Sequence, residues 1–167
     1  FDSTIYLLFL VLVTLFYWKL AFRAQNYFLL FASYFFYGWW DWRFLFLIIG
    51  STIVDFFIAR RIEVSGVEAY RKALFIFSIV LNLSFLGFFK YFNFFIDSFH
   101  HLAPLLGLNQ FPARLWEIIL PPAISFYTFQ EVAYIVDVYR RKLRAADSLI
   151  DYALFVSLFP HLIAGPI

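Results

Sequence analysis

Between Ala73 and Ile96 the chain reads ALFIFSIVLNLSFLGFFKYFNFFI, and Lys90 is the one side chain in that run charged at neutral pH. As a helix it would span about 36 Å at 1.5 Å per residue, more than the roughly 30 Å of hydrocarbon in a bilayer. The run does not alternate apolar with polar residues, and lipid cannot satisfy an open sheet edge, so helix is preferred over strand. Working outward, similar runs lie at Thr4–Leu20, Asn26–Trp40 and Phe44–Ala59 on one side and Ala123–Val138 on the other. A last run, Leu149–Ile163, leads to Gly165-Pro166. Several are nearer 15 residues than the roughly 20 that a crossing needs, so they must extend into flanking aromatics, tilt little, or sit in thin bilayer. The whole chain agrees: of 167 residues 64% are hydrophobic and 14% charged, and the mean hydropathy is +0.82. That leaves too little polar surface to cover a water-soluble domain, in which about 25% of residues are charged. The expected fold is an all-α, polytopic transmembrane helix bundle, with residues 1–167 in one domain of about five spans plus a partial sixth.

The positions of the charges predict an orientation. Lys19 and Arg23 follow the first span, Arg60, Arg61, Arg71 and Lys72 the third, and Arg140, Arg141, Lys142 and Arg144 the fifth. Alternation puts these ten on one side and Arg43 and Arg114 on the other, with Lys90 inside the fourth span. The positive-inside rule then places the basic loops in the cytoplasm and the N-terminus outside. Asp2 stands where a signal peptide would carry positive charge, so the first run reads as a span. Because translation begins at Met, a chain opening Phe1-Asp2-Ser3 is expected to have lost residues or to be an excised piece. In the outer loop 98–120, Ala113–Leu120 with Trp116 suits a helix lying in the interface, and Trp39, Trp40 and Trp42 suit an aromatic belt.

The net charge of +2 gives no footing for a nucleic-acid partner. With no Cys, disulfides and thiolate chemistry are excluded. His100 and His101 point to different faces, and no ligand set for a metal accompanies them, so no metal is expected. No P-loop, GxSxG, HExxH or GxGxxG occurs.

Ionisable groups in apolar spans are costly and mark candidate sites. For Asp55 the simplest account is an ion pair with a nearby Arg, Arg60 or Arg61, at the inner interface. Lys90, Asn93, Asp97 and His101 fall on one helical face, which suits either a solvated helix end or a wet path. The fifth span is richest. Gln130, Tyr134, Asp137 and Arg141 recur at offsets 0, 4, 7 and 11, and Tyr127 and Glu131 mark the adjacent face. An acid in the middle of an apolar helix must be protonated, hydrogen-bonded or exposed to an internal aqueous cavity. Two readings stand: a helix lining an interior pathway, or a polar clamp between helices. His161, after Pro160, is placed either as a base or as a partner for a freed carbonyl.

The stretch Pro121-Pro122-Ala123-Ile124-Ser125-Phe126-Tyr127-Thr128-Phe129-Gln130, continuing through Tyr134-Ile135-Val136-Asp137-Val138-Tyr139-Arg140, resembles the membrane-bound O-acyltransferase (MBOAT) family. Within it, the bacterial branch of alginate O-acetyltransferases and D-alanyl-lipoteichoic acid transfer proteins is most similar. Asp151 to Ile167 resembles the segment that follows there, and Ala32-Ser33-Tyr34 through Gly38-Trp39-Trp40 and Gly87-Phe88-Phe89-Lys90-Tyr91 resemble earlier parts in the right order. Ala123 stands where the pattern usually has Gly.

The resemblance implies that the chain is the N-terminal part of a single MBOAT-like transmembrane domain in a bacterial inner membrane. It implies an O-acyltransferase that passes an acyl group, expected to be acetyl, from a cytoplasmic donor to a cell-surface or exported polysaccharide. The donor would be acetyl-CoA or a similar acyl carrier, used as a co-substrate with no bound cofactor, and an outer-face partner protein is expected to complete the transfer. The family's catalytic histidine lies in a later segment, so no residue here takes that role, His161 included, and the piece alone is expected to be inactive. Tyr127, Gln130, Glu131, Tyr134, Asp137 and His161 would line the substrate path. A polytopic transporter and a non-catalytic scaffold for polysaccharide export are the alternatives.

Overall fold

The computed structural model describes residues 3–102, 121 and 123–160. Within them the chain forms six helices and no strand: α1 (Ser3–Tyr17), α2 (Phe22–Trp40), α3 (Trp42–Val64), α4 (Glu68–Leu102), α5 (Ile124–Tyr139) and α6 (Leu149–Ser157). The protein is an all-α membrane protein. Helix α3 and the Glu68–Ile96 part of α4 are each long and apolar enough to cross a bilayer. Both outrun the apolar runs that announce them, because the first and last turns are polar and still helical. The interface helix expected at Ala113–Leu120 and the histidine at 161 lie outside the described residues.

The helix ends follow from local chemistry. Asp41 is extended (φ −153°, ψ 110°) and ends α2 while capping α3: its Oδ1 accepts from the Arg43 amide at 2.9 Å. Its carboxylate also holds the Arg43 guanidinium, at 2.6 Å, and this keeps the Asp41 carboxyl below the usual carboxylate range. Ser65 turns the chain between α3 and α4, its Oγ accepting from the Val67 amide, and Glu68 meets the positive end of α4. Two residues other than glycine have left-handed backbone, Ala123 (φ 58°) and Arg141 (φ 59°). Arg141 closes α5 in a Schellman motif: its amide bonds Val138 O, and the Lys142 amide bonds Asp137 O.

Helix α3 is the centre of the bundle, packing on α2, α4, α5 and α6, while α1 reaches it through α2. Ile48, Ala59, Ile62, Ile135 and Val156 are wholly buried in its surroundings. A second, aromatic cluster forms where Phe159 inserts among Tyr6, Phe9 and Phe36, with ring centroids 5.2–6.3 Å apart. The outward faces are oily: Phe31, Phe77, Val80, Phe88 and Phe94 are all at least half exposed. Trp39 and Trp42 are exposed beside the α2–α3 turn, as an aromatic belt requires.

Candidate functional site

The buried stripe of α5 is Ile124, Tyr127, Thr128, Glu131, Tyr134, Ile135 and Val138, which faces α3 and α4. Glu131 is entirely buried, and its Oε1 accepts hydrogen bonds from Ser51 Oγ (3.1 Å) and Thr52 Oγ1 (3.0 Å) on α3. One turn further along α3, Asp55 is equally buried. Its Oδ1 accepts from Ser78 Oγ at 2.5 Å and its Oδ2 from Asn82 Nδ2 at 2.6 Å, both on α4. Three helices are therefore joined by two carboxylates through neutral donors, which is how an acid is kept in an apolar interior at a tolerable cost.

The expected arginine partner of Asp55 is not found. Asp55 bonds Ser78 and Asn82 instead, while Arg60 is exposed and lies over the Phe56 ring. Helical geometry explains this: positions five and six residues on are turned more than 100° away from Asp55. The serine and asparagine that take their place sit at i and i+4 on α4, a spacing readable in the sequence but carrying no charge to mark it. Ser51 and Thr52 give a still weaker signal, since adjacent small hydroxyls are common in apolar helices.

The remaining candidates divide. Tyr127 is buried and borders a small cavity with Ser51, Asn82, Phe85 and Thr128. Tyr134 is buried, packs against Tyr152 with ring centroids 4.5 Å apart and planes tilted by 34°, and accepts a hydrogen bond from the Ala146 amide at its hydroxyl. Gln130 is half-buried beside the stripe, its Nε2 donating to the Phe155 carbonyl near the end of α6 at 2.7 Å. Asp137 is partly buried, and its main-chain carbonyl anchors the turn after α5. Tyr127, Glu131 and Tyr134 thus share one buried face, whereas Gln130 and Asp137 flank it. Lys90 is exposed on α4 with its Nζ 5.8 Å from the Tyr91 ring.

The cytoplasm-facing ends expected from the charge pattern are tied by a buried arginine. Arg71 is 5% exposed. It donates to Ile62 O, to Glu68 Oε2 at 2.6 Å and to Tyr139 O at 2.7 Å, joining the end of α3, the start of α4 and the end of α5.

Comparison with known proteins fixes what kind of bundle this is. The probable alginate O-acetylase AlgI of Pseudomonas aeruginosa is 44% identical over 170 residues, covering 100% of this chain and 32% of that protein. The probable AlgI of Azotobacter vinelandii is 41% identical, covering 100% of this chain and 34% of that protein. The chain is of the MBOAT type. A peptidoglycan O-acetyltransferase of Helicobacter pylori is 37% identical over 83% of this chain and 30% of its own length. The chain thus spans about a third of the curated MBOAT relatives it matches. No protein-family model and no solved structure matches it.

Proposed function

We propose that this chain is a membrane-embedded part of an O-acetyltransferase that moves an acetyl group from a cytoplasmic acyl donor toward an exported or cell-surface polysaccharide. The observation that carries the reading is similarity along the whole chain to proteins named alginate O-acetylases, with a peptidoglycan O-acetyltransferase among the relatives. In that reaction a thioester C–S bond of a donor such as acetyl-CoA breaks and an ester C–O bond forms. The proton of the acceptor hydroxyl ends on the departing thiol. The base that takes that proton belongs to another segment of the whole protein, in line with the resemblance described above. The basic loops face the cytoplasm, the N-terminus lies outside in a bacterial inner membrane, and a separate outer-face protein delivers the acetyl group to the glycan. Tyr127, Gln130, Glu131, Tyr134, Asp137 and His161 border the route between donor and acceptor. The buried face shared by Tyr127, Glu131 and Tyr134, and the cavity beside Tyr127, support that assignment.

The test is chemical. The gene for the full-length protein is deleted and alkali-labile acetyl esters are measured on the exported polysaccharide and on peptidoglycan. Loss of esters from one of them, restored by the intact gene, is expected. Unchanged esters on both would overturn the assignment.

A further inference from the structure

The helix ends that Arg71 gathers are basic. Residues 60–72 and 139–147 carry eight Lys and Arg against three acids. Glu68 is taken up by Arg71 and the Tyr139 hydroxyl. Arg71 is buried, whereas the other seven cations are exposed, and among the described residues none of the seven is in an ion pair. One guanidinium fixes where they stand. Arg71 donates to Ile62 O at 3.1 Å and to Tyr139 O at 2.7 Å. Arg61 precedes Ile62, Lys72 follows Arg71, and Arg140 and Arg141 follow Tyr139, so these four lie within two residues of a group on that guanidinium. They also share one depth. The apolar runs of the three helices end at Ala59, begin at Ala73 and end at Val138, which puts each cation within about one helical turn, roughly 5 Å, of the hydrocarbon boundary. Lipid phosphates occupy a layer of about that thickness. Val64, Val67 and Leu143 are exposed among the cations, which suits glycerol and acyl groups better than open water.

Arg141 supplies an independent observation. It closes α5 with φ 59°, in the left-handed region where glycine is unstrained and arginine is not. Strain of this kind persists where a side chain has a use. A bias of positive charge toward one face of a membrane asks only for cations in loops. It requires neither a fixed register across three helix ends nor an arginine at a position made for glycine.

We propose that Arg61, Lys72, Arg140 and Arg141 form a binding site for the headgroup of an anionic phospholipid bearing two phosphates, cardiolipin. The four cations come from three helix ends, so one headgroup bridges α3, α4 and α5 through charge-assisted hydrogen bonds to its two phosphates. Val64, Val67 and Leu143 meet its glycerol and the first methylenes of its chains. The bound headgroup ties from outside the same junction that Arg71 ties from within. The site requires a bilayer but no particular orientation, and it is separate from acetyl transfer.

The test uses the purified full-length protein in detergent. Its thermal unfolding is followed by tryptophan fluorescence as cardiolipin, phosphatidylcholine or inorganic phosphate is added at constant ionic strength. Cardiolipin is expected to raise the midpoint saturably, and the other two are not. Arg141→Gly removes one cation while relieving the backbone, so loss of folding does not obscure the result. It is expected to raise the half-saturating cardiolipin concentration about fivefold, the effect of one cation at a membrane surface, and the Arg61→Gln/Arg141→Gly double variant about 25-fold. Lys90→Gln, about 27 Å along α4 from Lys72, is expected to leave it unchanged. A rise with phosphatidylcholine or free phosphate equal to that with cardiolipin would overturn the proposal. So would half-saturation that is unchanged in Arg141→Gly, or shifted as far by Lys90→Gln. The readout is independent of acetyl transfer, so its failure leaves the proposed activity standing.

Discussion

Asp55 holds α3 to α4 through Ser78 and Asn82, and the strength of that tie depends on both carboxylate oxygens accepting. Asp55→Ala leaves the buried Ser78 hydroxyl without this acceptor and takes one of two hydrogen bonds from the Asn82 amide, which keeps its bond to Ser78 O, and is expected to lower the unfolding free energy by about 2 kcal/mol. Asp55→Asn keeps one acceptor and should lose less; thermal unfolding in detergent checks the ranking. Ala123 offers the opposite change. Its left-handed backbone costs an L-residue about 1–2 kcal/mol. Ala123→Gly should therefore stabilise the protein by about 1 kcal/mol in the same measurement, part of the gain going to glycine's greater freedom when unfolded. The sequence made Ala123 visible as a departure from the family pattern, and the positive φ supplies the physical reason that pattern prefers Gly. The partners of Asp55 were less visible, because a carboxylate near arginines reads as an ion pair until the helical angle between them is counted.

Among the elements, α3 proves to be the keystone. Some 44% of its apolar window is buried, against 17% for α4, although the two have nearly equal hydropathy. Hydropathy alone therefore separates spans from loops but does not tell which span is central. That distinction comes from the small polar residues Ser51, Thr52 and Asp55, which are buried on α3 because Glu131, Ser78 and Asn82 meet them there. The α3–α4–α5 junction is secured separately by Arg71. Its guanidinium reaches two main-chain carbonyls and Glu68 at once while lying 5.2 Å from the Tyr139 ring. A lysine cannot reproduce that fork. Arg71→Lys is expected to cost about 2 kcal/mol and to speed amide hydrogen exchange at 139–143, with little change at 33–40. Equal acceleration in both segments would mean that the contacts do not act locally.

At the scale of the whole molecule, composition pointed to a membrane protein, and long unalternating runs such as Ala73–Ile96 made it all-α and placed most of its helices. The helices run past the apolar spans because polar first and last turns remain helical: α4 begins at Glu68 and α3 continues through Arg60 and Arg61 to Val64. The orientation can be tested directly, since the chain contains no cysteine. In a full-length protein with any other cysteines removed, Ser65→Cys should react with a membrane-impermeant maleimide only after the cytoplasmic side is opened. Trp39→Cys should react in intact cells; the reverse pattern would invert the topology. The deeper claim is that acetyl transfer depends on the polar face α5 turns into the bundle. The most direct measurement is the alkali-labile acetyl content of exported polysaccharide, divided by the amount of membrane-inserted protein, in cells carrying the Gln130→Ala/Glu131→Ala double variant. The account predicts a fall of about tenfold or more per inserted molecule; acetyl content per inserted molecule equal to that of the unaltered protein would contradict it.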